Sequence, residues 1–261
     1  MSIQHAYLAS PVPRAFAHRG WHIDELDGME NSLSAFRRAA DEGYHHLETD
    51  VQVTSDGVVV VHHDPILDRT TDRSGIVASL PWSEVRQARI AGKESISRLE
   101  DVLEELPNAH FNIDVKIDAA VEPFVRVINR TGSLDRVAAA SFSAGRLRRI
   151  RRFGGPKLTM AMGPISAGVV WGNCRLPLVS LRFLTRGVMA QVPMRYRRLS
   201  LVNESFVRMA HRYGAEVHVW TIDDADQMRL LLDTGVDGIV TDRPDLLRSV
   251  LLERGAWPAC A

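Results

Sequence analysis

Glu48 and Asp50 lie two residues apart in HLETDVQV, and the same spacing returns with Asp114 and Lys116 in FNIDVKID. On an extended strand such residues share a face, with Cα atoms roughly 6.6 Å apart. Two carboxylates aimed at one point repel unless a proton or a cation lies between them, and hard oxygen donors suit Mg²⁺ or Ca²⁺. Asp114 and Lys116 put an acid and a base on one inner face. They read either as a buried ion pair or as a metal ligand beside a cation for a substrate oxyanion. His18 and Arg19 end an apolar run in AFAHRG, and Gly20 allows a tight exit. His63 follows VVVV, with Asp64 next. Each of these has an ordinary structural reading as a solvated strand end, an ion pair or a core histidine. Their joint occurrence at so many strand ends is hard to assign to coincidence and marks one active face.

Something must hold these ends together. Short apolar runs alternate with helix-period segments, which argues for βα units and a parallel sheet. Strands are expected at 14–18, 45–51, 109–116, 136–141, 157–162, 187–192, 215–220 and 237–241. Asn203 can cap a helix whose apolar stripe is Phe206, Val207 and Ala210, with Gly214 as its stop. Asp223 or Asp224 opens another, ending before Gly235. Eight units in 261 residues match one closed (β/α)8 barrel, whose active face collects the C-terminal strand ends. The expected domain is the whole chain, 1–261, with residues 52–98 as a small insertion after the second strand. There, Asp56-Gly57 marks a hairpin, and the polar tract to Arg98 precedes a helix at 99–106. An open doubly wound sheet is the alternative, but no GxGxxG or GxxxxGK[ST] loop occurs.

Composition narrows the rest. Hydrophobic residues make up 45%, enough for a large core, and 32 Lys and Arg balance 32 Asp and Glu, so no basic field suggests nucleic acid. The run Arg146, Arg148, Arg149, Arg151 and Arg152 reads as a solvated helix face. Two cysteines, Cys174 and Cys260, fit a reduced cytosol, and neither a signal peptide nor a spanning helix is read. A cytoplasmic location is expected.

These blocks resemble the glycerophosphodiester phosphodiesterase family. The resemblance rests on AHRG at 17–20, EN at 30–31, ETDVQVTSDGVVVVHHDPILDRTT at 48–71, NIDVK at 112–116, and VHVWTIDD with GVDGIVTDRPD at 217–245. It implies a TIM barrel with one divalent cation, Mg²⁺ or Ca²⁺, held by Glu48, Asp50 and Asp114. His18 and His63 become the acid/base pair, and Arg19 and Lys116 contact phosphate. Trp220 matches a pocket aromatic, with core packing as its alternative. Glu30 orients Arg19 or caps the helix starting near Asn31. His62 is assigned no chemistry. The third-strand acid is usually glutamate in that family, and aspartate is shorter by about 1.5 Å, which bears on the identity of the metal.

The implied reaction is metal-dependent hydrolysis of a glycerophosphodiester to glycerol 3-phosphate and an alcohol. The glycerol 2-hydroxyl first closes a cyclic phosphate, which water then opens. A second reading is a lysophospholipase D-like or sphingomyelinase D-like enzyme acting on a lysophospholipid. In that reading the apolar excursion 163–186, with Trp171, Leu176, Leu178, Leu181 and Phe183, grips an acyl chain or makes peripheral membrane contact. A barrel that binds phosphorylated ligands without turnover is a third.

Overall fold

The computed structural model describes residues 5–175, 185–197 and 199–257. Its main sheet runs through β1 (Arg14–His18), β2 (His46–Val53), β3 (His110–Val115), β4 (Val137–Ala140), β5 (Thr159–Met160), β6 (Met189–Pro193), β7 (Glu216–Trp220) and β8 (Gly238–Thr241). Neighbouring strands pair in parallel from β1 through β5, and from β6 through β8 back to β1. A single parallel bridge, Ala161↔Met189, closes the seam between β5 and β6. The expected strands are therefore all present, with the fifth reduced to two residues. At that seam Gly187 has φ +104°, and a Cβ there would meet the Ala161 carbonyl oxygen at 2.6 Å. The backbones approach too closely for any other residue.

Helices cover the outside: α1 (Leu33–Asp41), α2 (Trp82–Val85), α3 (Leu99–Glu105), α4 (Val121–Arg130), α5 (Ala144–Gly154), α6 (Pro164–Asn173), α7 (Glu204–Arg212), α8 (Ala225–Thr234) and α9 (Pro244–Glu253). Caps follow the sequence logic. Asn203 accepts from the Phe206 amide at 2.9 Å and Asp224 from the Gln227 amide at 2.9 Å. Ser32, rather than Glu30, caps α1 by accepting from the Ala35 amide at 3.1 Å. The Asp56-Gly57 hairpin joins β2 to an antiparallel strand at Val59–Val61, and residues up to Arg98 form the small insertion. A two-stranded ribbon, Arg195–Tyr196 with Leu199–Ser200, follows β6 and has no counterpart in the sequence reading.

The arginine run lies on α5, where it is not wholly solvated. Arg146 turns inward to the Val115 carbonyl and Ser141, both at 2.9 Å, and pairs with Asp118. Apolar side chains between strands and helices form two clusters. One spans β1 to β5 with α1, α3, α4 and α5, and the other spans β6 to β8 with α6 to α9.

The barrel floor is aromatic and ionic. Tyr7, on a 3-10 turn at Ala6–Leu8, meets the rings of His46 and His110, and Phe16 meets His46 and His218. Burial, reinforced by His110, holds His46 well below the usual histidine range, so it packs as a neutral ring. Arg14 donates to both Glu216 oxygens at 2.8 Å, and His218 Nε2 lies 3.0 Å from one of them. Burial pushes Glu216 up, yet Arg14 and His218 bring it down to about 2.

A carboxyl held below its unfolded value stabilises the fold above pH 4.5, and that stability is lost as the pH falls toward about 2. Glu216→Gln leaves Arg14 unpaired and is expected to cost about 3–5 kcal/mol at pH 7. Urea denaturation at pH 7, 4.5 and 3 should show the gap to the wild type narrowing with acid. A gap constant with pH would show that this pair does not set the acid limb.

Candidate functional site

The strand ends open into a cavity of about 760 Å³ lined by His18, Arg19, Glu48, Asp50, His63, Asp114, Lys116 and Trp220. Register explains the convergence. Glu48 pairs across the ladder with Asn112 and Asp50 with Asp114, so alternate side chains of β2 and β3 point into the barrel together. His18 stands opposite Glu48 on β1. Beyond it the chain must turn sharply. Arg19 and Gly20 have φ of +56° and +88°, and a Cβ on Gly20 would lie 2.8 Å from the Ala35 backbone. Gly20 thereby lets α1 pack against the end of β1. A larger hollow of about 1220 Å³, between α1 and the insertion, contains none of these residues.

Each histidine rests on a carboxylate. His18 Nδ1 is 2.6 Å from Asp242 Oδ1, just past β8, and its Nε2 faces Glu48 Oε2 at 3.6 Å. Asp242 also meets His22 Nε2 at 3.1 Å, and Asp223 holds the Asp242 amide at 2.8 Å. Burial opposes a charge on His18, but Glu48 and then Asp242 raise its pKa above the usual value. His63 Nδ1 lies 2.5 Å from Asp64, whose other oxygen accepts from Arg69 Nε at 2.6 Å. His62 turns away. It is buried, its Nε2 meets the Ile66 carbonyl at 3.0 Å, and burial lowers its pKa.

The basic residues are engaged with acids. Lys116 Nζ bridges Asp50 at 2.7 Å and Asp114 at 2.8 Å. Arg19 pairs with Glu30 at 2.8 Å and Asp50 at 3.2 Å, and Arg69 grips Glu30 through both terminal nitrogens at 2.7 Å. Burial works against a charged Glu30, but Arg69 and Arg19 bring it down to about 2. Asn31 adds a hydrogen bond to Asp50 at 3.2 Å. Burial raises Asp50 too, yet Lys116 and Arg19 prevail and keep it ionised. Burial and the neighbouring Asp50 charge push Glu48 up to about 8. Burial likewise raises Asp114.

Among the described residues no three His, Cys, Asp or Glu side chains gather closely enough to cage a metal by themselves. The donor chemistry nevertheless fits a hard cation. Glu48 Oε2, Asp114 Oδ1 and the amide oxygen of Asn112 are buried without hydrogen-bond partners on adjacent strands, an expensive arrangement unless a positive charge satisfies them. The sequence reading omitted Asn112, although it shares a face with Asp114 two residues on. It also missed Asp242, Asn31, Arg69 and the orienting role of Asp64. A polar residue directly beyond the last strand was the available signal for Asp242.

Trp220 lines the cavity and packs edge-on against Phe142 at 5.6 Å. Trp171 lines it as well. Leu176, Leu178, Leu181 and Phe183 of the apolar excursion, and Cys260, lie outside the described residues. Cys174 is a free thiol. No described helix is long and apolar enough to cross a membrane.

Comparison with known proteins agrees with this geometry. The profile of the glycerophosphoryl diester phosphodiesterase family matches residues 18–246. A Mycobacterium tuberculosis protein named probable glycerophosphodiester phosphodiesterase 2 is 41% identical over 247 residues, covering 93% of this chain and 92% of that protein. The crystal structure of a glycerophosphodiester phosphodiesterase from Agrobacterium tumefaciens superposes with a TM-score of 0.70 at 25% identity, over 90% of this chain and 98% of the other. An Oleispira antarctica phosphodiesterase, solved in complex with the product sn-glycerol-3-phosphate, superposes with a TM-score of 0.76 at 22% identity, over 95% and 99%.

The Lys116 bridge makes a direct prediction. Lys116→Met leaves Asp50 and Asp114 facing each other, and should cost about 3–5 kcal/mol of unfolding free energy at pH 7. Chemical denaturation of the two proteins decides it, and an unchanged midpoint would mean the ammonium is not needed there.

Proposed function

The chain belongs to the glycerophosphoryl diester phosphodiesterase family, and on that premise we propose that it hydrolyses glycerophosphodiesters to glycerol 3-phosphate and an alcohol. The observation that carries this reading is the pair of histidines, each held by its own carboxylate, facing one cavity with Arg19 and Lys116.

A phosphodiester monoanion repels nucleophiles and has a poor alkoxide leaving group. Arg19 and Lys116 carry the positive charge that would meet the phosphoryl oxygens, where negative charge persists through the transition state. Their present carboxylate partners hold them extended into the cavity until a substrate anion competes. One histidine takes the proton of the glycerol 2-hydroxyl as its oxygen attacks phosphorus. The other gives a proton to the departing alcohol oxygen, leaving a cyclic phosphate. With the roles exchanged, water is deprotonated, attacks phosphorus, and the ring oxygen is reprotonated to yield glycerol 3-phosphate. Asp242 and Asp64 each fix one ring tautomer and aim the free nitrogen into the pocket. A divalent cation, Mg²⁺ or Ca²⁺, would be held by Glu48 and Asp114 with Asn112 and Asp50 beside them, and would supply Lewis-acid neutralisation of phosphate charge. Glu48, raised to about 8, is the carboxyl most in need of such a partner.

His18→Ala and His63→Ala should each lower kcat by roughly 10²–10⁴-fold, while His62→Ala keeps most activity. Asp242→Asn should cost roughly 10²-fold or more without unfolding the protein, because the orienting carboxylate is lost. Equal damage from His62→Ala and His63→Ala in a glycerophosphocholine assay would defeat the assignment. For the metal, adding Mg²⁺ or Ca²⁺ to chelator-treated protein should raise its melting temperature. Glu48→Gln and Asp114→Asn should abolish that rise. A wild-type melting temperature indifferent to both ions would remove the cation from the reading.

A further inference from the structure

Arg69 belongs to the insertion and to no strand or helix, yet its guanidinium makes four hydrogen bonds to two carboxylates of the site. The turn that carries it is built to stay in place. Leu67 is buried in an apolar cluster with Met29 and Val60, and the Thr71 amide closes the turn on the Leu67 carbonyl at 3.1 Å. The Thr70 carbonyl accepts from the Ala91 amide at 2.9 Å. From this base one edge of the guanidinium, Nε and Nη2, meets the two oxygens of Asp64 at 2.6 and 3.2 Å. The other edge, Nη1 and Nη2, meets both oxygens of Glu30 at 2.7 Å. A planar fork with donors on two edges can do this, whereas an ammonium is a point charge on a flexible stem.

What those two carboxylates hold gives the clamp its meaning. Asp64 lies 2.5 Å from His63 Nδ1, and among the described residues His63 and Arg69 are the only side chains hydrogen-bonded to it. The His63 ring has no hydrogen-bond partner but Asp64 among the described residues. His18 is better secured, because it meets Glu48 as well as Asp242, and Asp223 steadies the Asp242 backbone. Glu30, on the other edge of Arg69, lies 2.8 Å from Arg19. Resting on the phosphodiesterase reading, we propose that Arg69 is a positioning residue that holds Asp64 against His63 and Glu30 against Arg19, fixing the proton-transfer group relative to the phosphate-binding one. Arg69 does not line the cavity, so it acts through these neighbours. The insertion thereby enters the reaction through one side chain. Without Arg69, Asp64 keeps no second anchor and His63 loses its fixed orientation. Arg19 still has Glu30 and, at 3.2 Å, Asp50, so turnover suffers more than binding.

Arg69→Ala should lower kcat for glycerophosphocholine roughly 10–100-fold and move KM much less. The Arg69 side chain is 48% exposed, so guanidinium ion can reach the space it leaves. Added at non-denaturing concentration, guanidinium should restore part of the lost kcat to Arg69→Ala and none to Asp64→Asn. Arg69→Lys keeps the charge without the two-edged fork, and should still lose about tenfold. In an Asp64→Asn background, Arg69→Ala should cost less than about threefold more, because residues acting as one unit are not additive. Melting temperatures establish that each variant is folded, and if Arg69→Ala is not, Arg69→Lys carries the same comparison. Wild-type kcat in either Arg69 variant overturns the proposal, and so does an equal loss in the wild-type and Asp64→Asn backgrounds. Both results leave the phosphodiesterase reading intact. No cleavage by the wild type overturns that reading itself.

Discussion

Placing Glu48 and Asp50 two residues apart on a strand buried on both faces creates an electrostatic debt that the surrounding structure must balance. Both side chains are almost wholly buried, and the Asp50 charge raises the cost of ionising Glu48. The result is a line of alternating charge. It runs from Asp114 through Lys116 to Asp50, then through Arg19, Glu30 and Arg69 to Asp64 and His63. Each member touches the next within hydrogen-bond or ion-pair distance. The His63 imidazole at one end is thus held by the same network that neutralises the acids at the other. The oxygens on β2 and β3 that this line leaves without hydrogen-bond partners are those of Glu48, Asp114 and Asn112.

That constraint also accounts for the division of the barrel top. Charge gathers over β1 to β3, where ladder pairing stacks inward residues of neighbouring strands side by side. From β4 onward the inward positions near the cavity include Ala138, Ala140, Ala161, Met189 and Val240, which cannot contribute to the network. Small residues here leave room within the barrel and let aromatic side chains from the loops above lean inward.

Much of this architecture could be read in the linear chain because strand period, helix caps and turn residues are local. His18, Glu48, Asp50, His63, Asp114 and Lys116 were legible as a set because they lie on or just beyond strands and the i, i+2 rule fixes the face that Glu48 shares with Asp50 and Asp114 with Lys116. What could not be read depends on distant parts of the chain meeting. Asp242 orients His18 across 224 positions, and Arg69 reaches Glu30 across 39. No periodicity encodes such contacts. Of the two readings of Asp114 and Lys116 the structure shows the ion pair, and Arg19, expected to contact phosphate, pairs with Glu30 and Asp50. Glu30 was read partly as a cap, but the first turn of α1 is satisfied by Ser32, which frees Glu30 to join the two arginines.

The seam between β5 and β6 has a dynamic consequence. Every other interface around the barrel is a ladder of at least two residue pairs, whereas this one depends on Ala161↔Met189 alone. The apolar layer outside the strands breaks into two clusters across the same line. This line has the fewest ladder pairs to break, so local opening of the barrel is expected to begin there. Parting would widen the uncharged side of the cavity and leave the acid and histidine side rigid.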